Sequence, residues 1–235
     1  LTGAELNAGA FSGTLTNAPT LADGAVYSIA FDGVDLSGNT ATTVTSTSVS
    51  YDGAAPVFSS VSPLTASIVN TANVGYTLSE ALASGTVTYT RTGGSVDGSS
   101  PHVVNLAGAE LNVGAFSGAL TNAPTLVDGA IYSIAFDGVD AAGNVATTVT
   151  STSVTYDGTA PVFSGVSPTN SSAVSTANVS YTLSENLTSG TVTFTQTGGT
   201  ADGSSPHLVN LAGTELNAGA FSGALTNAPT LVDGA

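Results

Sequence analysis

Carboxylates are the side chains of this sequence that are best placed to do chemistry. Half of them recur in three short contexts, F-D-G-V-D-x-x-G-N, Y-D-G-x-A-P and Y-T-L-S-E. The chain carries 16 acidic residues and a single basic one, Arg91, which gives a formal net charge of −15. Carboxylates that gather without basic partners repel one another, and a hard cation with about six to eight oxygen ligands, such as Ca²⁺, relieves that repulsion. The acidic residues are therefore candidate metal ligands.

The same composition excludes several kinds of partner and of chemistry. Nucleic acid and anionic membrane surfaces repel an acidic chain, and the apolar runs are too short to insert into a membrane. The absence of cysteine excludes disulfides and thiolate ligands. No G-x-S-x-G motif occurs, and we expect His102 and His207, which are one repeat position, to lie at strand edges without an acidic partner. The sequence therefore predicts no enzyme activity.

The sequence repeats itself with a period of 105 residues. The segment G-A-F-S-G places Phe11, Phe116 and Phe221 at equal spacing, and 81 of the first 105 residues are identical to residues 106 to 210. This period matches a whole β-sandwich domain and is far longer than one unit of a solenoid or a propeller. Abundant Thr, Ser, Val and Gly with few Lys, Glu and Arg favour strands over helices. We predict an all-β fold of tandem domains.

The domain boundaries follow from Y-D-G-A-A-P at 51–56 and Y-D-G-T-A-P at 156–161. Asp-Gly ends a strand, and proline lacks the N–H donor that a continuing ladder needs. Residues 1–52 are then the C-terminal half of one repeat, 53–157 a complete repeat, and 158–235 the N-terminal part of a third.

Alternating apolar and polar residues predict seven strands in the complete repeat. Tyr76 and Leu78 fall on one face of the second strand, and Tyr132, Ile134 and Phe136 fall on one face of the sixth. Loops rich in Gly, Asn, Asp and Ser separate the strands. The predicted strands cover residues 57–61, 73–78, 86–92, 102–106, 115–120, 130–138 and 145–156.

These motifs together resemble the bacterial immunoglobulin-like repeats found in tandem in large secreted adhesins and other cell-surface proteins. The resemblance rests on Y-x-I-x-F-x-x-x-D-A-A-G-N at 132–144, on the Y-D-G-T-A-P linker and on Y-T-L-S-E, and it covers the whole chain. It implies tandem seven-stranded Greek-key sandwiches, export to the bacterial cell surface, and calcium ions at or near domain junctions.

In an immunoglobulin-like sandwich the loops gather at two poles, so the acidic residues can be sorted between them. Asp97 and Asp128 fall at the pole at which the chain leaves the complete repeat. The pole at which the chain enters is called the N-terminal pole below, and Asp23 of the preceding repeat lies over it. It receives Asp52, Glu80, Glu110, Asp137 and Asp140.

We predict a calcium site at this junction, with Asn144 or backbone carbonyls completing the shell. A partial set, Asp157 and Glu185, marks the next junction. The alternative is that the acids only cap loops and turns, where Asp is favoured. The predicted ligands of the first junction are Asp52, Glu80, Asp137, Asp140 and Asn144.

The two partial repeats complement each other. The one at 158–235 has the first five strands, and the one at 1–52 supplies the last two. One interpretation is an internal stretch of a longer array, in which the partners are neighbouring repeats of the same chain, and the missing initial Met and signal peptide favour it. The other is strand exchange between chains in a head-to-tail fibre. Chain length under denaturing conditions separates the two.

The function expected from these features is structural: a stalk or extender of a surface adhesin, or the shaft of an extracellular filament. Near-identical copies favour this class, because reach grows with copy number. A glycan-binding or accessory module of a secreted enzyme is the alternative, although most Tyr and Phe residues fall at inward positions. The Thr-rich run T-T-V-T-S-T allows a third, an ice-binding surface.

Overall fold

The computed structural model describes residues 1–234. The chain divides into two compact units, Leu1–Gly158 and Thr159–Ala235. Apart from three short 3-10 turns, the regular structure of the described residues is strand, so the predicted all-β fold is confirmed. None of the helical segments in this part of the chain has the length or hydropathy to cross a membrane.

The strands of the first unit form a hairpin and two further sheets. They are β1 (Val26–Phe31), β2 (Val44–Ser50), β3 (Phe58–Ser62), β4 (Ile68–Val69), β5 (Val74–Leu78), β6 (Ser84–Gly94), β7 (His102–Asn105), β8 (Gly114–Gly118), β9 (Ala130–Val139) and β10 (Val149–Tyr156). The hairpin is β1–β2. One sheet has the order β3-β5-β8 and the other the order β4-β10-β9-β6-β7. All pairings are antiparallel except that of β4 with β10.

The seven strands predicted between residues 57 and 156 all have counterparts in β3 and β5 to β10. The last one begins at Val149 and not at 145, because residues 145 and 146 instead bridge back to the end of β9. The short strand β4 was not predicted. Two residues carry no alternation from which a strand could be identified.

The two sheets of residues 53–158 enclose one apolar core. Tyr132, Ile134 and Phe136 of β9 alternate with outward-facing residues and are fully buried, as their spacing predicts. Phe136 reaches the opposite sheet, with ring centroids 6.1 Å from Phe58 and 5.9 Å from Tyr76. These tilted and edge-on contacts are favourable for aromatic rings. The sixth predicted strand, β9, therefore packs its sheet against the other one through the side chain of Phe136.

The second unit repeats only part of this arrangement. Its strands are β11 (Phe163–Ser167), β12 (Val179–Leu183), β13 (Thr191–Phe194), β14 (His207–Asn210) and β15 (Gly219–Gly223). They form a sheet in the order β11-β12-β15 and a separate pair β13-β14. They correspond to β3 and β5 to β8 of the first unit. The described part of the second unit has no counterparts of β4, β9 and β10.

Candidate metal centre

The first carboxylate of the candidate centre is Asp140, in the turn after β9. Its Oδ1 accepts hydrogen bonds from the backbone N–H groups of Ala142, Gly143 and Asn144 at 2.9, 2.7 and 2.8 Å. Its Oδ2 accepts one from Asn144 Nδ2 at 2.8 Å. Burial raises the pKa of Asp140, but these hydrogen bonds outweigh it and hold the pKa below its usual range. The Asp-x-x-Gly-Asn pattern thus forms a turn around an ionised carboxylate.

The same turn forms around Asp35 in the first partial repeat. Asp35 Oδ1 accepts from the N–H groups of Ser37 and Asn39 at 2.9 and 2.8 Å, and Asp35 Oδ2 accepts from Asn39 Nδ2 at 2.8 Å. The turn is therefore satisfied by its own residues, as Asp in turns commonly is. Asp140 differs from Asp35 in being buried and in having other carboxylates beside it.

Glu80, in the turn that follows β5, is one of these neighbours. Burial raises the pKa of Glu80, and the charges of Asp52, Asp140 and Asp23 raise it further. No hydrogen bond to its carboxylate is present among the described residues. Glu80 is therefore a carboxylate held among three others without a basic partner.

Asp52 supplies the third carboxylate from the segment between β2 and β3. Its Oδ1 accepts from Ala54 N at 3.2 Å, and its backbone carbonyl accepts from Asn144 Nδ2 at 3.1 Å. Asp23 is held beside it, because Asp23 Oδ1 accepts from Gly53 N at 2.7 Å. Asn144 thus ties the linker residue Asp52 to the turn of Asp140.

The three carboxylates form one cluster, with one oxygen each from Asp52, Glu80 and Asp140 lying within 4.8 Å of one another. Two oxygens bound to the same Ca²⁺ at about 2.3–2.6 Å lie no more than about 5 Å apart, so this spacing is compatible with one ion. An all-oxygen, all-anionic donor set suits a hard cation and does not suit Zn²⁺ or Cu²⁺. The residues therefore fit calcium, with other oxygens completing the shell.

Two acids predicted at the N-terminal pole lie outside this cluster. Asp137 is on the outward face of β9, and its Oδ1 accepts a hydrogen bond from the hydroxyl of Thr148. Glu110 is buried and accepts from Ala107 N at 2.7 Å and from the backbone N–H and hydroxyl of Thr121 at 2.5 and 2.8 Å. Both carboxylates already have partners that account for their positions.

The partial set predicted at the next junction is divided between the two units. Asp157 belongs to the first unit, where its backbone N–H donates to the carbonyl of Val69 at 2.8 Å. Glu185 belongs to the second unit, where its Oε1 is buried without a hydrogen-bond partner among the described residues. Glu185 thus repeats the unpartnered state of Glu80.

Sequence reasoning missed a second polar network, in which a histidine does contact an acid. His102 Nε2 lies 2.7 Å from Asp97 Oδ2, and the hydroxyl of Tyr132 donates to the same oxygen at 2.7 Å. These hydrogen bonds lower the pKa of Asp97 to about 2. The expectation that the histidines have no acidic partner was therefore wrong. The sequence carried a signal for this contact, because each histidine follows an aspartate by five residues in both repeats. In the second unit His207 Nε2 likewise lies 2.6 Å from Asp202 Oδ2.

Asp97, His102 and Tyr132 form one hydrogen-bonded network. The Tyr132 hydroxyl also accepts from Val127 N at 3.0 Å, so both its donor and acceptor roles are in use. The remaining Asp97 oxygen accepts from Ser99 N at 2.9 Å. Buried networks whose members are satisfied in this way make a fold more rigid.

Comparison with known proteins gave no match to a model of a protein family, to a curated protein or to a solved structure.

Proposed function

We propose that this chain is a non-catalytic structural repeat region of a bacterial cell-surface or extracellular protein, acting as a stalk, extender or filament shaft. Its repeats are immunoglobulin-like domains, and Ca²⁺ stiffens the junction between them. The near identity of the copies supports a structural role, because reach grows with the number of repeats. The order of strands in the two sheets of residues 53–158 supports the immunoglobulin-like assignment.

The observation that carries this proposal is the cluster of Asp52, Glu80 and Asp140. Asp52 lies on the linker that follows β2, whereas Glu80 and Asp140 lie on loops of the next domain. An ion bound by all three fixes the linker to that domain and screens the repulsion that raises the pKa of Glu80. Calcium therefore changes the junction from a repelling set of charges into a cross-link.

The test is calorimetric titration of the chain with CaCl₂, together with melting temperatures with and without the ion. We expect heat of binding and a rise in the melting temperature. At a hundred times the dissociation constant, binding adds about 2.7 kcal/mol to the free energy of unfolding of the unit that binds. Mg²⁺ is the selectivity control, because it demands a tighter octahedral shell.

Glu80→Gln and Glu185→Gln make a matched pair of variants. Glu185 is the counterpart of Glu80 one repeat later, outside the cluster. Without calcium, Glu80→Gln raises the melting temperature because it removes a repelled charge. With calcium the order reverses, because the variant loses a ligand, while Glu185→Gln still binds. Absence of heat in the unaltered chain, or equal titration by Glu80→Gln, overturns the proposed site.

A further inference from the structure

The linker that follows β2 is held by a loop of the repeat before it. Asp23 lies in the turn that precedes β1, and its Oδ1 accepts a hydrogen bond from Gly53 N at 2.7 Å. Tyr51 pairs with the same loop, since its N–H donates to the carbonyl of Ala25 and its carbonyl accepts from Gly24 N, both at 2.9 Å. These three hydrogen bonds fix the start of the linker to the preceding repeat.

The second linker is held in the same way. Asp128 Oδ1 accepts from Gly158 N at 2.7 Å, and the carbonyl of Tyr156 accepts from Gly129 N at 2.8 Å. The two sets of residues are one repeat period apart in the sequence. Because the geometry recurs at both linkers, it is a property of each repeat.

The linker position is restricted to glycine by the ring of the preceding tyrosine. A Cβ atom at Gly53 would lie 3.0 Å from the Tyr51 hydroxyl, and one at Gly158 would lie 2.9 Å from the Tyr156 hydroxyl. Both separations are shorter than ordinary van der Waals contact, so a side chain there would displace the ring or the linker. The glycine of the Asp-Gly linker thus lets a backbone N–H reach the aspartate of the loop.

The turn that carries this aspartate is itself held in place, as the complete repeat shows. Ala130 N donates to the carbonyl of Val127 at 3.1 Å across the turn, and Gly129 has a φ of +71°, which glycine adopts without strain. Val127 N donates at 3.0 Å to the hydroxyl of the fully buried Tyr132. Since the core holds the turn, the turn holds Asp128 in one position.

One peptide group connects the two repeats at the first linker. The N–H of Gly53 and the carbonyl of Asp52 belong to the same planar trans peptide and point in opposite directions. Asp23 of the preceding repeat accepts from the N–H at 2.7 Å, and Asn144 Nδ2 of the following repeat donates to the carbonyl at 3.1 Å. Fixing the N–H therefore also fixes where the backbone of Asp52 lies beside the turn of Asp140.

We propose that Asp23 is a positioning residue of the candidate metal centre, acting through the peptide group that joins Asp52 and Gly53. The preceding repeat then takes part in forming the site, although the ligands Glu80 and Asp140 belong to the following one. The placement of Asp52 by Asp23 is a property of the chain without an ion. Its consequence for calcium affinity rests on the proposed function.

Hydrogen exchange followed by NMR without calcium tests the placement. In the unaltered chain we expect the Gly53 N–H to be protected. Asp23→Ala removes the acceptor, so exchange at Gly53 should become about tenfold faster or more, and the Nδ2 proton signals of Asn144 should move as the Asp52 carbonyl leaves. Asp23→Asn keeps an acceptor oxygen and should preserve both signals. An unprotected Gly53 N–H in the unaltered chain overturns the proposal, whatever calcium does.

Calcium titration then separates position from charge. The charge of Asp23 helps to raise the pKa of Glu80, after burial and the charges of Asp52 and Asp140, so its loss alone alters the centre. Asp23→Ala should raise the calcium dissociation constant by about 10- to 100-fold, as is typical when a residue that orients a metal ligand is removed. Asp23→Asn should raise it much less. Equal weakening by the two variants would mean that only the charge matters, which contradicts the proposal.

Asp128→Ala is the matched control, because it removes the same hydrogen bond one repeat later and outside the cluster. It should also lower the melting temperature of the chain while leaving the calcium dissociation constant unchanged. If it weakens calcium binding as Asp23→Ala does, the effect is a general loss of stability and the proposal is wrong. If the unaltered chain binds no calcium, the proposed function fails, and the signals of Gly53 and Asn144 still decide whether Asp23 places Asp52.

Discussion

Residues 159–234 repeat the first part of the sequence of residues 53–158, without the segment that forms β9 and β10. The first copy buries Phe58 and holds Asp97 with both His102 and Tyr132. In the second copy the equivalent of Phe58 is exposed, and the equivalent of Asp97 has its histidine but no tyrosine. Local sequence is almost the same in both. The difference therefore shows which properties depend on β9 and β10.

Local structure survives without those two strands, whereas burial survives only in part: Tyr181 and Leu183 stay buried and Phe163 is exposed. The turn geometry, the pairing of β12 with β15 and the buried Glu215 all repeat what the first copy has. Strand length is lost where β9 is missing, since β13 is much shorter than β6. The sheet that contains β6 and β7, or β13 and β14 in the second copy, is thus the part of the domain most dependent on residues far along the chain.

The largest effect expected from this comparison is at the phenylalanine of the first strand of each copy. Phe58→Ala removes a buried ring that contacts Tyr76 and Phe136 and should cost about 3–5 kcal/mol of the free energy of unfolding of the first unit. Phe163→Ala should cost about 1 kcal/mol in the second unit, because that ring is already partly exposed. Urea unfolding followed by tyrosine fluorescence measures both free energies of unfolding.

Equal losses at Phe58 and Phe163 would contradict the comparison. They would mean that contacts within the sheet β3-β5-β8 and its counterpart β11-β12-β15 account for the stability of both copies. The contact of Phe163 with Tyr181 is one of these. Unequal losses would mean that the difference in stability comes from the packing of the sheet that contains β9 against the sheet β3-β5-β8.

The strands and the buried faces could be predicted from the sequence because alternation repeats every two residues and depends only on local order. The inward positions of Tyr132, Ile134 and Phe136 follow directly from it. The pairing of β4 with β10 could not be predicted, since it joins residues far apart in the chain and has no sequence pattern of its own.

The candidate metal centre was predictable only at the level of loops. Sorting acids by pole identified Asp52, Glu80 and Asp140, which the structure brings together. It could not reveal the direction of each side chain, so it also included Asp137, which points outward from β9 towards Thr148. Loop position limits where a residue can be, whereas the strand pleat and local hydrogen bonds decide where its carboxylate points.

A smaller effect concerns the dependence of stability on pH in the two acid–histidine pairs. The native pKa of Asp97 is about 2, below the usual value, because His102 and Tyr132 hydrogen-bond to its ionised form. A depressed pKa contributes stability at higher pH, and that contribution is lost as the pH falls from about 4 to about 2. We expect Asp97→Asn to lower the melting temperature of the first unit at neutral pH and to flatten its decline in acid.

Tyr132→Phe sharpens this test, because it reduces the environment of Asp97 to that of Asp202, which has only the histidine and nearby backbone donors. Its melting curve in acid should fall between those of the unaltered chain and Asp97→Asn. Melting temperatures measured from pH 7 to pH 2 check the order. If Tyr132→Phe leaves the acid limb unchanged, the tyrosine does not hold the carboxylate.

The smallest effect is expected at Arg91, the one basic residue of the chain. Its guanidinium donates to the carbonyls of Ser95 and Gly94 at 2.6 Å, which ties down the loop after β6. The second copy has Gln196 there, and its amide donates to Gly198 and Thr200 in the same loop. Because a neutral side chain holds the equivalent loop, Arg91→Gln should change the free energy of unfolding by less than about 0.5 kcal/mol. Urea unfolding measures this, and a loss of several times that value would mean that the positive charge stabilises this acidic chain beyond its loop.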